Sequence, residues 1–220
     1  MLISPILPHP HDRYPVTTTD TPRPAHRPSR LPEVVEAAVR VFGRRGLSAV
    51  TMDEIAAECG VAPSAVYYHF SSKDELFHAA FDAVRDDIQT ITGGDGSPTA
   101  TLRQVVTGVF RWAQEHPERA NLLWVYSAGA TPAMAETWES FIDGHVDNLF
   151  RYAPDTVARP IRADELSRRA ARAGVVAGNT IALDWISGRR FAGVDADRLA
   201  ESVASMLERM FTPPGQSGAT

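Results

Sequence analysis

Two groups of side chains in this sequence have types and spacings suited to chemistry. The first is Thr51, Ser64, Ala65, Tyr67, Tyr68, His69 and Lys73, close together in the chain. Hydroxyl, imidazole and ammonium groups hydrogen-bond phosphate oxygens or base edges, and an alanine methyl can meet a thymine methyl. The second is Phe110, Trp124, Trp138 and Phe141 with His145 and Asn179. Aromatic surface with a few polar groups suits a pocket for an apolar small molecule. Each group has a plainer alternative. Tyr67 and Tyr68 would be core aromatics, His69 a ring packed at a helix end and Lys73 a surface lysine. The later aromatics would be packed core, and His145 a satisfied histidine. Asn179 follows a small apolar run and, if buried, needs partners. It would face a ligand or hold two copies in register.

Catalytic patterns are weak. The sequence has no Gly-x-Ser-x-Gly, no P-loop and no Gly-x-Gly-x-x-Gly. Cys59 reads as a small apolar group on an inner helix face. His9 and His11 are too sparse for a metal site. Asp143, His145 and Asp147 alternate along a helix, so neighbours diverge. Asp86 and Asp87 read as a solvated face. No enzyme, no metal and no cofactor is expected.

The elements that must position the first group follow from periodicity. Val34, Val35, Ala38, Val41 and Phe42 make an apolar helical stripe. Glu33, Glu36, Arg40 and Arg44 fall opposite, and Gly46 ends the helix. Thr51-Met52-Asp53-Glu54 is a capping box opening a short second helix that Gly60 closes. Pro63 suits the first position of a third helix. Ser72-Lys73-Asp74-Glu75 reads as a second capping box, opening a longer helix with either Phe77, Ala80, Val84 and Ile88 or Leu76, Ala80 and Phe81 facing inward. Residues 92–98 read as a linker. Helices are expected near 100–115, 117–128, 132–151, 163–188 and 195–211. No run of useful length alternates with period two, so the fold class expected is all-α.

Composition bounds the rest. The chain has 220 residues, 44% of them hydrophobic and 22% charged, with a net charge of −5 and one cysteine. That length holds one large or two small domains, and a single cysteine excludes an internal disulfide framework. No apolar run is long enough to span a membrane, and the start is a poor signal peptide. A cytoplasmic protein is therefore expected. Eight of the sixteen prolines lie in the first 32 residues, which suits a disordered arm over 1–30. Arginines at 23, 27, 30, 40, 44 and 45 make the stretch from 23 to 45 locally basic, so the arm would either reach phosphates or a minor groove or serve only as a solubilising tail. The tail 213–220 reads as loose.

Three short helices with a tight turn at Gly60 form a helix-turn-helix pattern. The stretch Val34 to Phe77 resembles the DNA-binding domain of the TetR family of bacterial transcription regulators. The residues that carry the resemblance are Ala37-Ala38, Phe42, Gly46, Thr51-Met52-Asp53-Glu54-Ile55-Ala56, Gly60-Val61, Tyr67-Tyr68-His69-Phe70 and Lys73-Asp74-Glu75-Leu76-Phe77. The resemblance implies that Thr51 caps its helix against a phosphate. It implies that Tyr67, Tyr68 and His69 touch phosphates or bases, and that Lys73 grips a phosphate. The chain departs from the family at Ala62, where a capping serine is common, and at Pro63, Ser64 and Ala65, where lysine, glycine and threonine are frequent.

The resemblance further implies domains at 31–77 and 78–212, the second binding a small, largely apolar effector and pairing two copies. The last two helices would form a four-helix bundle with a partner. Small residues from Ala170 to Gly178, and Leu199, Val203, Met206 and Met210 at heptad-like spacing, would face that partner. The function so implied is a homodimeric repressor on a palindromic double-stranded operator, released by its effector. The alternatives are an activator, a regulator that answers to no small molecule, or a helical carrier or enzyme whose first unit makes protein contacts.

Overall fold

The computed structural model describes residues 30–93, 101–152 and 164–210. The expected arm, most of the linker, the tail, and His9 and His11 lie outside these residues. The described residues are helical with no strand, as the missing period-two pattern requires. We label the helices α1 (Leu31–Arg45), α2 (Met52–Cys59), α3 (Pro63–His69), α4 (Lys73–Ile91), α5 (Leu102–Glu115), α6 (Pro117–Ala120), α7 (Pro132–Leu149), α8 (Glu165–Ile186) and α9 (Ala196–Met210). A π-helix, Asn121–Tyr126, continues α6, and a 3-10 turn, Phe150–Tyr152, continues α7.

α1 buries its stripe through Val34, Ala37, Ala38, Val41 and Phe42. Phe42 meets Phe77 of α4 edge-on at 5.0 Å, which fixes α1 against α4. Ile55 and Ala56 of α2 and Val66 of α3 are fully buried beneath them. α4 buries both of its expected inner sets, because it is covered by α1 on one side and the later helices on the other. It thus belongs to both halves of the molecule.

Two expectations change. The segment after Pro117 is α6 followed by the π-helix rather than one uniform helix. The Ser127 hydroxyl, fully buried, donates to Leu122 O at 2.6 Å and closes the wider turn. The heptad-like positions of α9 do not form a free face. Leu199 and Val203 are buried inside the chain, and Met206 and Met210 pack on its core, because α9 lies along α5. Gly174 and Gly178 of α8 serve the same packing. A Cβ on Gly174 would stand 2.3 Å from Met210 Sδ, so glycine lets α9 approach. The exposed apolar surface of α8 is instead Leu166, Ala170, Ala173 and Val176.

Candidate nucleic-acid interface and apolar cavity

Thr51 has the extended backbone of an N-cap, and its hydroxyl accepts from Glu54 N at 3.3 Å. Glu54 returns the bond, its Oε2 accepting from Thr51 N at 2.7 Å and from the Thr51 hydroxyl at 3.0 Å. The other carboxylate oxygen accepts from Arg45 at 2.6 Å. The Arg45 guanidinium, then the Thr51 backbone bond, hold the Glu54 carboxyl down at about 2. Gly60 takes the left-handed conformation, φ 69 and ψ 36, which turns the chain from α2 into α3.

The ordinary carboxyl value of 4.5 for Glu54 lies above its folded value. Its contribution is therefore present above pH 4.5 and is lost as pH falls toward 2. The wild-type chain is expected to lose more melting temperature across that window than Glu54→Gln does. Thermal melts at pH 5, 4, 3 and 2.5 in low salt check this, and parallel curves would contradict it.

α3 points Val66 inward and leaves Pro63, Ser64, Ala65, Tyr67 and Tyr68 outside. Tyr67 is 54% exposed and Tyr68 84% exposed, among the few large apolar side chains so placed. His69 is half-buried, its ring edge-on to Tyr68 at 5.0 Å. α3 has no side-chain cap at Ala62. Lys73 is drawn inward. Its Nζ donates to Val50 O at 2.9 Å, which brings the start of α4 against the residue before Thr51. The second capping box forms by half. Ser72 accepts from Glu75 N at 3.1 Å, but the Glu75 carboxylate accepts from the backbone N and hydroxyl of Ser71, both at 2.7 Å.

The local excess of arginine is largely neutralised within the fold. Arg40 and Arg44 pair with Glu58 at 2.9 and 2.7 Å, and Arg45 with Glu54. Arg23 and Arg27 lie outside the described residues. What α3 presents is thus two tyrosines, a serine and an alanine methyl beside a small number of cations.

The second unit holds a partly open apolar cavity of about 110 Å³ among α4, α5, α7, α8 and α9. Of the residues expected at a ligand, Phe110, Trp124, His145 and Asn179 line it. Trp138 and Phe141 do not. Phe141 packs between Phe81 and Trp138, at 6.0 and 5.2 Å, because that face of α7 turns toward α4 and the core. Asn179 is satisfied inside the chain. It accepts from Trp124 Nε1 and donates to Val175 O, both at 2.9 Å, so it ties the π-helix to α8 beside the cavity.

Sequence reasoning missed Thr92, Asn148 and Tyr152 in the cavity wall. The Tyr152 hydroxyl donates to Thr92 O at 2.8 Å, fastening the end of α4 to the turn after α7. Asn148 was visible as the residue one turn beyond His145. Tyr152 lies one turn further, past the expected end of the helix at 151.

The two sites are joined at a tight seam. Arg119 of α6 donates to both Glu36 oxygens at 2.6 Å and to Asp87 at 2.8 Å, so one guanidinium holds α1, α4 and α6. At Gly43 a Cβ would stand 2.1 Å from Glu118 O. Tyr126, at the end of the π-helix that carries Trp124, abuts Gly46.

Residues 34–80 match the family model described as bacterial regulatory proteins, tetR family. The chain is 34% identical to the transcriptional regulator BetI of Rhizobium meliloti over 101 residues, 44% of this chain and 50% of that one. It thus spans half the length of that relative. It is 25% identical to BetI of Brucella melitensis over 193 residues, 83% of this chain and 90% of that one. Its fold is similar to that of the Bacillus subtilis regulator FadR, solved with stearoyl-CoA. The TM-score is 0.63 at 17% identity, over 80% of this chain and 96% of that chain.

Proposed function

We propose that this chain, whose residues 34–80 match the TetR family of bacterial regulatory proteins, is a cytoplasmic repressor that binds a palindromic operator as a homodimer and leaves it when a small apolar molecule enters the cavity. The observation that carries the reading is the exposure of Tyr67 and Tyr68 on a helix whose opposite side is fully buried. Nothing in the packing of α3 needs those rings outside, whereas a duplex groove does.

Supporting observations concern reach and coupling. One short helix gives little specific contact, so two copies about one helical turn apart read a palindrome. Leu166, Ala170, Ala173 and Val176 of α8 offer the second copy an apolar strip. Thr51, Ser64, Ala65, Tyr67, Tyr68, His69 and Lys73 are the proposed DNA contacts. Lys73 would reach a phosphate only with a proton donor to spare, which its ammonium has beyond the bond to Val50. The cavity is proposed as the effector site because Trp124 stands in its wall while Tyr126, two residues on, touches the reading unit. An effector must prefer one arrangement of that seam over the other. FadR of Bacillus subtilis, whose fold is similar, was solved in complex with stearoyl-CoA, which carries a long alkyl chain.

The test is selection of duplex fragments from random DNA, followed by affinity measured across salt. A linear fall of log affinity with log salt, with a slope set by several phosphates per protomer, is expected. Apolar compounds that bind the full chain should then lower operator affinity while the protein stays dimeric. A chain that binds apolar compounds but no duplex would be a carrier, and the proposal would fail.

A further inference from the structure

The polar side chains of the cavity wall other than His145 and Asn148 are bonded within the chain, Asn179 to Trp124 and Val175, Tyr152 to Thr92 O and Thr92 to Gln89 O. Most of the lining is carbon, with Val105, Val203 and Leu207 typical of it. On α7, His145 and Asn148 stand three residues apart and so share a side of the helix. Both also line a groove between α4 and α7 on the far side, which makes them the partition between an apolar interior and a polar exterior. His145 Nδ1 lies 2.8 Å from Phe141 O on its own helix. A carbonyl only accepts, so Nδ1 holds the proton of the neutral ring and Nε2, across the ring, is an acceptor. Burial lowers the imidazole pKa, which favours that neutral ring. Asn148 supplies an amide, donor and acceptor at once.

Charge narrows the choice. Among the described residues no carboxylate lines the cavity or the groove, so a cation would lack a counter-charge. The groove has one guanidinium, Arg85, which pairs with Asp82 at 2.8 Å and Asp86 at 3.4 Å and leaves its buried Nε without a partner. The cavity itself is lined by no cation among the described residues, and an anion inside it would meet the lone pair of His145. A hydroxyl matches both neighbours, donating to His145 Nε2 and accepting from Asn148. Size narrows it further. At about 110 Å³ the cavity is somewhat smaller than the roughly 150 Å³ apolar cavity that takes up benzene, so it holds one small ring or a short alkyl chain.

We propose that the effector is an uncharged molecule joining one small apolar group to a hydroxyl, and that His145 and Asn148 select the hydroxyl. This rests on the cavity being the effector site, as argued above. A site that hydrogen-bonds a hydroxyl leaves buried polar groups unpaired when the analogue lacks it.

The experiment is calorimetric titration of the full chain with phenol, anisole, toluene, benzoate and benzylammonium. Phenol should bind about tenfold or more tighter than anisole or toluene, and the two ions more weakly still, as expected for one buried hydrogen bond. His145→Phe should bring phenol and toluene within about twofold of each other, whereas His145→Gln, which keeps an acceptor, should retain much of the preference. Near-ultraviolet circular dichroism shows whether each variant is folded. If His145→Phe is not, Asn148→Leu provides the same comparison, with a reduced preference for phenol. Equal affinity for phenol and toluene, tighter binding of either ion, or binding of none of the five overturns the proposal. Phenol binding that leaves operator affinity unchanged would overturn the regulatory reading, and with it the word effector, and leave standing only the selection of a hydroxyl by His145 and Asn148.

Discussion

Gly43→Ala is expected to lower the melting temperature by several degrees, although it adds one methyl group. The new Cβ would stand 2.1 Å from Glu118 O, 2.6 Å from its carbonyl carbon and 2.9 Å from its Cα. All three are backbone atoms, so no side chain can swing aside and α1 must part from α6. Overpacking of this kind costs about 1–3 kcal/mol, which in a chain of this size shifts the midpoint by roughly 2–4 °C per kcal/mol. The change also displaces the ion pairs of Arg119, which depend on the same approach. Gly144→Ala is the control. It lies in exposed helix, with nothing within 4 Å of the added atom, and should raise stability by up to about 1 kcal/mol through helix propensity. Calorimetric melts of the three proteins check the pair. If Gly43→Ala melts no lower than wild type, the seam is not packed as described.

The double substitution Tyr67→Ala, Tyr68→Ala is expected to weaken operator binding about 100-fold or more, with no loss of melting temperature. Both rings are exposed, so their removal opens no cavity. Each base-edge contact is worth roughly 1–3 kcal/mol, and about 1.4 kcal/mol is a factor of ten. Salt dependence separates this effect from that of Lys73. Neutral tyrosines release no counterions, so the double variant should keep the wild-type slope of log affinity against log salt. Lys73→Met, which removes a phosphate charge, should reduce the slope by about one per protomer. Filter binding or fluorescence anisotropy at four salt concentrations distinguishes them. Retained affinity in the tyrosine variant would place the contact surface elsewhere.

What the sequence disclosed depended on how local the cause was. The Thr51 box and the Gly60 turn are set by residues within one turn of each other, and both formed as their spacing requires. The Ser72 box failed in part because Ser71 offers the Glu75 carboxylate two donors at once, a competition the motif does not encode. Periodicity located the buried faces of α4 and α7 without saying which neighbour each face meets. Trp138 and Phe141 were therefore expected at a ligand, and Leu199 and Val203 at a partner copy, when packing within the chain claims all four. The π-helix was invisible for a related reason. One extra residue per turn leaves an apolar pattern nearly unchanged over a segment as short as Asn121–Tyr126.

The three-way hold of Arg119 on Glu36 and Asp87 bears on how such proteins can be recombined. A chimera that exchanges the first three helices for those of another regulator inherits this body's arginine and its Glu118 carbonyl at the seam. The incoming α1 must then bring an acid in the place of Glu36 and a glycine in the place of Gly43. Donor heads that lack either would sit askew on the new body, however well they recognise their own sequence.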